Sequence, residues 1–356
     1  MDILIVQGDG IGPEITGATL TVVAALQKKF GLDLRLEHAD CGLVSLKQRG
    51  VTVRDEDIEN AKKADGVVLG PMSVREYPPV EQGGVNVPAT FRTRLELYAN
   101  IRPSYVRPGL RSVAQKMDLV MVRENLEDFY VDRNMFQGLG EFRPTEEVVI
   151  AMGKITATGS RRIARAACEI AIRRPRKKLT IVHKNPVLKM YHTLFLDESL
   201  KVTREFPELQ VEDLLVDAVT ALLIRTPERF DTILTTNMFG DILSDEAAEL
   251  AGSLGLAASL NRGDRNAVAN AGHGSAPDIA GKDAANPASL MLSTAMLFEH
   301  LGATRKERKM TEAAAAFTRT VDRLIGSPET RTRDLGGKLG TKAFADAVAK
   351  AVLDEK

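Results

Sequence analysis

Cysteine is nearly missing from this chain. Cys41 and Cys168 alone represent it in 356 residues, far apart and without ligand-like spacing, which speaks against a disulfide framework and a zinc site. Such usage fits a reducing cytoplasm. An excess of either charge is missing too: 48 basic residues cancel 48 acidic ones, so no whole-molecule field favours nucleic acid or a membrane surface. Long apolar runs are lacking as well. The opening Met1-Asp2-Ile3-Leu4-Ile5-Val6 is too short and too acidic for a signal peptide, and nothing approaches the roughly 18 uninterrupted apolar residues that a membrane span needs.

What remains is the composition of an ordinary globular protein, 44% hydrophobic and 27% charged. The length exceeds what one core usually organises, so two domains are expected. Short apolar runs alternate with longer amphipathic segments, the sequence form of an α/β protein. Strands are expected at Ile3-Val6, Gly66-Leu69, Leu119-Val122, Leu179-Val182 and Thr232-Thr235. Helices are expected at Gly12-Phe30, Ser160-Arg173 and Asn286-Leu301, the last opening on an Asn-Pro cap and ending before Gly302. The basic run Arg173-Arg174-Pro175-Arg176-Lys177-Lys178 reads as a solvated connection. No internal repeat is present.

Asn237-Met238-Phe239-Gly240-Asp241-Ile242-Leu243-Ser244-Asp245 follows an apolar run and sets two aspartates four residues apart. On a helix they share a face, where like charges cost roughly 0.2–0.5 kcal/mol unless a cation or the helix dipole compensates. Mg²⁺ or Mn²⁺, which takes one or two carboxylates plus substrate oxygens, is one compensator, and a plain helical N-terminal turn is the alternative. Gly8-Asp9-Gly10-Ile11-Gly12-Pro13-Glu14 invites comparison with the dinucleotide fingerprint, but its third glycine comes early and proline follows. Gly272-His273-Gly274-Ser275-Ala276-Pro277-Asp278-Ile279 is more suggestive. Its small residues admit a ligand to backbone amides, and a carboxylate at Asp278 suits ribose hydroxyls and repels a ribose phosphate, favouring NAD over NADP. Arg92, Arg102 and Arg123 offer forked donors to a polyanionic small molecule, or else form surface ion pairs. Tyr130 is a proton donor or a packed ring, and Lys184 a desolvated base or an exposed amine.

Together these stretches resemble the metal-dependent β-decarboxylating dehydrogenases, the isocitrate, homoisocitrate and 3-isopropylmalate dehydrogenases. The resemblance runs from Gly8-Asp9-Gly10-Ile11-Gly12 through Leu97-Tyr98-Ala99-Asn100-Ile101-Arg102-Pro103, Val122-Arg123-Glu124-Asn125 and Gly240-Asp241-Ile242-Leu243-Ser244-Asp245 to His273-Gly274-Ser275-Ala276-Pro277-Asp278, ending near Asp334-Leu335-Gly336-Gly337. It implies a two-domain α/β fold distinct from the Rossmann fold. A larger cofactor-binding domain would comprise residues 1–101 and 254–356, with a smaller dimerisation and substrate domain, 102–253, inserted. It further implies a homodimer or higher oligomer with shared active sites, in which Lys184 and Asp217 are lent by the neighbouring subunit.

The implied reaction is NAD-dependent oxidative decarboxylation of a 3-substituted malate, a hydroxy di- or tricarboxylate, through a metal-stabilised enolate. In that scheme Lys184 is the base, Tyr130 the proton donor, and Asp217, Asp241 and Asp245 hold Mg²⁺ or Mn²⁺. Asp217 lies in Leu215-Val216-Asp217-Ala218-Val219, an apolar surround in which an unpaired carboxylate is expected to be costly. Arg92, Arg102 and Arg123 clamp the malate carboxylates, while His273 to Ile279 and Asn286 take the cofactor. Val85-Asn86-Val87-Pro88-Ala89 occupies the stretch by which the family reads the substituent. Asn86 there suits a third carboxylate, whereas its apolar neighbours suit a short or apolar group such as that of 3-isopropylmalate. Arg123-Glu124-Asn125 with Glu127-Asp128 tips the expectation towards isocitrate or homoisocitrate. Lys184-Asn185-Pro186 and Asn270-Ala271-Gly272 depart from the family pattern and leave a catalytically weak regulatory subunit as a rival. A metal-dependent phosphotransferase is another, though the chain lacks its lysine-serine phosphate cradle.

Overall fold

The computed structural model describes residues 1–130 and 140–355. Its strands are β1 (Asp2–Val6), β2 (Arg35–Ala39), β3 (Gly66–Leu69), β4 (Ala99–Tyr105), β5 (Asp118–Glu124), β6 (Glu141–Thr145), β7 (Val148–Ala151), β8 (Lys178–His183), β9 (Gln210–Leu215), β10 (Thr232–Thr235), β11 (Ala258–Arg262) and β12 (Ala267–Ala271). Its helices are α1 (Gly12–Phe30), α2 (Leu43–Arg49), α3 (Asp55–Lys63), α4 (Val87–Arg94), α5 (Ala157–Ala171), α6 (Lys189–Thr203), α7 (Val216–Arg225), α8 (Asn237–Leu250), α9 (Ala288–Arg305), α10 (Arg308–Ile325) and α11 (Thr341–Asp354). Two compact units result: Met1–Leu95 with Arg107–Arg111 and Gly252–Lys356, and Glu96–Val106 with Ser112–Ala251. No helix among the described residues is long and apolar enough to cross a membrane.

In the first unit the strand order is β2-β1-β3-β12-β11, parallel except for the β11–β12 pair. Strands flanked on both faces by helices must be apolar throughout, and Ile3 to Val6 and Gly66 to Leu69 are buried without interruption. Edge strand β2 instead carries exposed Arg35, Glu37 and His38, which discourages further pairing. Helix α1 opens with Pro13 in its first turn and closes at Gly31, whose φ of 62° places it in the left-handed region. Its Ile15, Val22 and Leu26 join Phe298, Phe317 and Phe344 in one apolar core with α9, α10 and α11. This topology differs from the dinucleotide-binding order, in which all strands run parallel.

Helix α9 departs from expectation at both ends. It starts at Ala288, whose N–H donates to Asn286 Oδ1 at 3.0 Å, and it runs through Gly302 to Arg305. Gly302 marks a close approach rather than a stop: a Cβ there would lie 2.5 Å from Thr311 Oγ1 and 2.8 Å from Thr311 N on α10.

In the second unit the order is β4-β5-β10-β8-β9, with β4 antiparallel to β5 and the rest parallel. Helix α5 begins three residues before the expected Ser160, because Thr156 caps it by accepting the Gly159 N–H at 3.0 Å. The basic run after α5 is a clasp rather than a solvated connection. Arg174 donates to Asp118 at 2.8 Å and to the fully buried Asp231 at 2.5 Å, and Arg176 donates to the Phe230 carbonyl. A separate antiparallel hairpin, β6–β7, leaves Phe142, Val149 and Ile150 exposed.

Candidate active site

Antiparallel pairing of β4 with β5 sets Asn100 opposite Arg123 and Arg102 opposite Met121. Because side chains alternate along a strand, Arg102 and Arg123 therefore share one face. Against that face lies α8, which starts two residues after β10 ends. Asp241 and Asp245 stand beyond the first turn of α8, so the helix dipole does not compensate them. The arginines do. Arg123 Nη1 donates to Asp241 Oδ1, and Arg102 reaches Asp241 Oδ1 at 3.4 Å and Asp245 Oδ1 at 3.3 Å. Burial pushes the Asp245 carboxyl up, Arg102 opposes the push, and Asp241 adds to it.

Arg123 is 1% exposed, and its orientation is fixed by groups that sequence reasoning did not single out. Its Nε and Nη2 donate to Asn237 Oδ1 at 3.0 and 2.6 Å, and Asn237 Nδ2 donates to the Glu127 carbonyl at 3.1 Å. Gly240 is necessary here, since a Cβ would sit 2.6 Å from Arg123 Cγ. Below, Glu127 accepts from Thr156 N–H at 2.8 Å and Thr156 Oγ1 at 2.6 Å. Asp128 accepts from Tyr191 Oη at 2.9 Å and from the Met238 N–H at 2.8 Å, tying the β5 exit to the start of α8. Fully buried Glu124 is pushed up to about 7, first by desolvation and then by Glu127. The ring of Tyr130 has the Arg123 guanidinium 6.0 Å from its centroid.

Lys184 follows β8 and donates to Asp217 Oδ1 at 2.5 Å. The expected apolar surround of Asp217 is not what the fold provides: its side chain is 63% exposed. Helix α7 is amphipathic, turning Val219 and Leu223 inward and leaving Asp217 on the wet face. The Lys184 ammonium and the adjacent backbone hold the Asp217 carboxyl below its ordinary value. Asn185 donates its N–H to His183 Nδ1 at 3.2 Å, while His183 Nε2 lies 3.0 Å from Asp213 Oδ2. These contacts shape the turn at Lys184-Asn185-Pro186.

In the other unit, Arg92 lies on α4, and Asn86 caps that helix by accepting the Ala89 N–H at 3.1 Å. The capping bond engages Asn86 Oδ1 and leaves the amide nitrogen as its donor side. The loop after β12 carries His273 to Ile279. Ala276 takes a left-handed φ of 36°, and Gly274 faces open space where a Cβ would stand. Asp278 and Pro277 are exposed and Ser275 is buried. His273 is held below its ordinary value by burial, which favours a neutral ring. Asn286 Nδ2 donates to Asp334 Oδ2 at 2.9 Å.

The donor sets suit the groups expected. Asp241 and Asp245 present hard carboxylate oxygens, with side chains 40% and 51% exposed, as an incompletely dehydrated Mg²⁺ or Mn²⁺ requires. Among the described residues no third His, Cys, Asp or Glu completes a metal-holding group within one chain. The 273–279 loop offers open backbone at Gly274 and an exposed carboxylate at Asp278, as a dinucleotide requires. The Gly8–Glu14 turn offers no such cradle, because a Cβ on Gly10 would meet the Ser275 carbonyl at 2.1 Å.

A doubly divided α/β chain with this arginine–aspartate constellation has the form of an oxidative decarboxylating dehydrogenase. The family model for isocitrate/isopropylmalate dehydrogenase matches residues 2–348, and the chain belongs to that family. It is 42% identical over 352 residues to an isocitrate/homoisocitrate dehydrogenase of Thermus thermophilus, covering 98% of each. It is 39% identical over 354 residues to a 3-isopropylmalate dehydrogenase of Methanothermobacter thermautotrophicus, covering 99% of each. A crystal structure of isocitrate dehydrogenase from Methylococcus capsulatus matches with a TM-score of 0.88 at 35% identity, over 99% of both chains. The relatives' substrates differ, so the comparisons establish the class of reaction and the family.

Proposed function

We propose that the protein catalyses NAD-dependent oxidative decarboxylation of a 3-substituted malate, with isocitrate or homoisocitrate as the substrate and Mg²⁺ or Mn²⁺ as the metal. The observation that carries this reading is the convergence of Arg102 and Arg123 on Asp241 and Asp245. Two fixed cations beside two carboxylates form a place where a chelating hydroxy acid is gripped by arginine at its carboxylates and by a divalent ion at its hydroxyl end. When bound, the metal supplies a Lewis acid for carbanion-like charge and NAD supplies the hydride acceptor.

The chain's own side chains do the rest. Arg102 and Arg123, with Arg92 as the third proposed ligand, hold the malate carboxylates and orient the scissile bond. Lys184, as the neutral amine once it has released a proton, takes the hydroxyl proton as hydride leaves the same carbon, and Tyr130 returns a proton to carbon after carbon dioxide departs. Asp217, Asp241 and Asp245 would hold the ion. The loop from His273 to Ile279, with Asn286, takes the dinucleotide, and Asp278 accepts from its ribose hydroxyls. Asn86, with its amide nitrogen outward, is suited to donate to the third carboxylate of a tricarboxylate.

In this reading two copies pair through the smaller, inserted domain and each lends Lys184 and Asp217 to the other, which the exposure of this region supports. Asp217 turns to Lys184 and away from burial. In the same unit the apolar side chains of Val187 and Met190, which follow Lys184, are 67% and 91% exposed, a burden that a second copy, covering them together with the β6–β7 hairpin, relieves. The two cysteines, buried and free, accord with a cytoplasmic setting.

The test is reduced-nicotinamide absorbance with purified protein, Mn²⁺, NAD and a panel of 3-substituted malates. Turnover with isocitrate or homoisocitrate above the others is expected. Preference for 3-isopropylmalate or another apolar malate overturns the substrate assignment. Binding without turnover of any of them indicates a regulatory subunit.

A further inference from the structure

The glycine turn at the N-terminus has no phosphate cradle, yet its two acidic residues hold both ends of the loop read above as the cofactor loop. Asp9 is 4% exposed and accepts hydrogen bonds from Leu43 N–H at 2.7 Å, Ser73 N–H at 3.0 Å and Tyr77 Oη at 2.6 Å. Three donors make its buried charge tolerable. Ser73, fixed in this way, donates from Oγ to Ser275 Oγ at 2.8 Å, while Ile11 N–H donates to the Ser275 carbonyl at 2.8 Å. At the far end Glu14 Oε2 accepts the Gly281 N–H at 3.0 Å, and its other oxygen accepts from Thr341 Oγ1 at the start of α11. The stretch between the two ties passes through the left-handed Ala276, and the open Gly274 lies just before the first of them.

We propose that Asp9 and Glu14 are positioning residues for the 273–281 loop, fastening its start through Ser73 and Ser275 and its end at Gly281, so that it stands arranged before the dinucleotide arrives. The proposal rests on the reading of this loop as the NAD site. Ordering a loop on binding costs affinity, and a loop tied at both ends avoids that cost. Neither acid touches the cofactor in this account; each acts through the loop.

The experiment measures NAD affinity by calorimetry, steady-state kinetics at saturating substrate, and amide hydrogen exchange of residues 273–281 in the cofactor-free protein. Three variants are compared: Tyr77→Phe, which removes a donor to Asp9; Glu14→Ala, which frees Gly281; and Glu14→Gln. The last keeps an acceptor for Gly281 and gains a donor for Thr341, so it serves as the rescue. Tyr77→Phe and Glu14→Ala are expected to weaken NAD binding about tenfold, with kcat at saturating NAD within about twofold, and to speed exchange across the loop. Glu14→Gln is expected to match the parent within about twofold. A parent that binds NAD with variants of unchanged affinity overturns the positioning role and leaves the dehydrogenase reading standing. A parent that binds no NAD overturns both. Loss of kcat in step with NAD affinity, unrescued by Glu14→Gln, also overturns the proposal, since it marks general damage.

Discussion

Arg123 carries a buried positive charge whose acceptors include Asn237 and Asp241. Truncating Asn237 to alanine removes an oxygen that accepts from two buried guanidinium N–H groups, which is expected to cost about 1–3 kcal/mol in a urea unfolding curve. It is also expected to lower kcat/KM for the hydroxy acid, because the fork then loses its fixed direction. Arg123 and the aspartate pair were legible in the sequence because a strand followed by polar residues and an acidic i,i+4 pair are local patterns. Asn237 sits inside the same motif, but its role depends on how α8 lies against β5, which no local pattern records. Asp217 teaches the converse. Its apolar neighbours suggested burial, yet the turn of α7 directs Val219 and Leu223 inward and the carboxylate outward, so composition of a window misled where helical phase decided.

Among the secondary-structure elements, the central strands were readable because parallel strands covered on both faces must be uninterrupted apolar runs. Helix ends were less so, since glycine serves both as a stop and as a place of close contact. Gly302 illustrates the second use. Alanine has the higher helix propensity by about 1 kcal/mol, but the new methyl would press on Thr311 of α10, and overpacking costs about 1–3 kcal/mol. Gly302→Ala is therefore expected to lower the thermal midpoint, and a rise would show that α10 yields readily. For the loop after β12, Asp278→Lys combined with Ile279→Tyr should shift preference from NAD towards NADP, because a cation then meets the ribose phosphate. Cofactor selectivity unchanged in paired kcat/KM measurements counts against that loop as the nucleotide site.

The protein's pH response sums opposing groups. Burial holds His192 and His300 down at about 4, so each contributes stability that is present above the unfolded value near 6.5 and lost as pH falls through about 4. Glu124, raised to about 7, works in the other direction: its contribution is present below the unfolded carboxylate value and lost as pH rises through about 7. Two histidines outweigh one glutamate, so the thermal midpoint is expected to fall on acidification from neutrality, and His192→Leu should flatten that fall. Assembly was expected from the resemblance alone, because the exposed Lys184 and Asp217 carry no local pattern that calls for a second copy. Mixing inactive Lys184→Ala and Tyr130→Phe homodimers is expected to restore about a quarter of parental activity through hybrid dimers with one intact site. The most direct measurement is anomalous diffraction from crystals grown with Mn²⁺. A peak between Asp241 and Asp245 of one copy and Asp217 of another is the predicted result; manganese found only elsewhere, with those carboxylates still paired to arginine and lysine, would contradict the account.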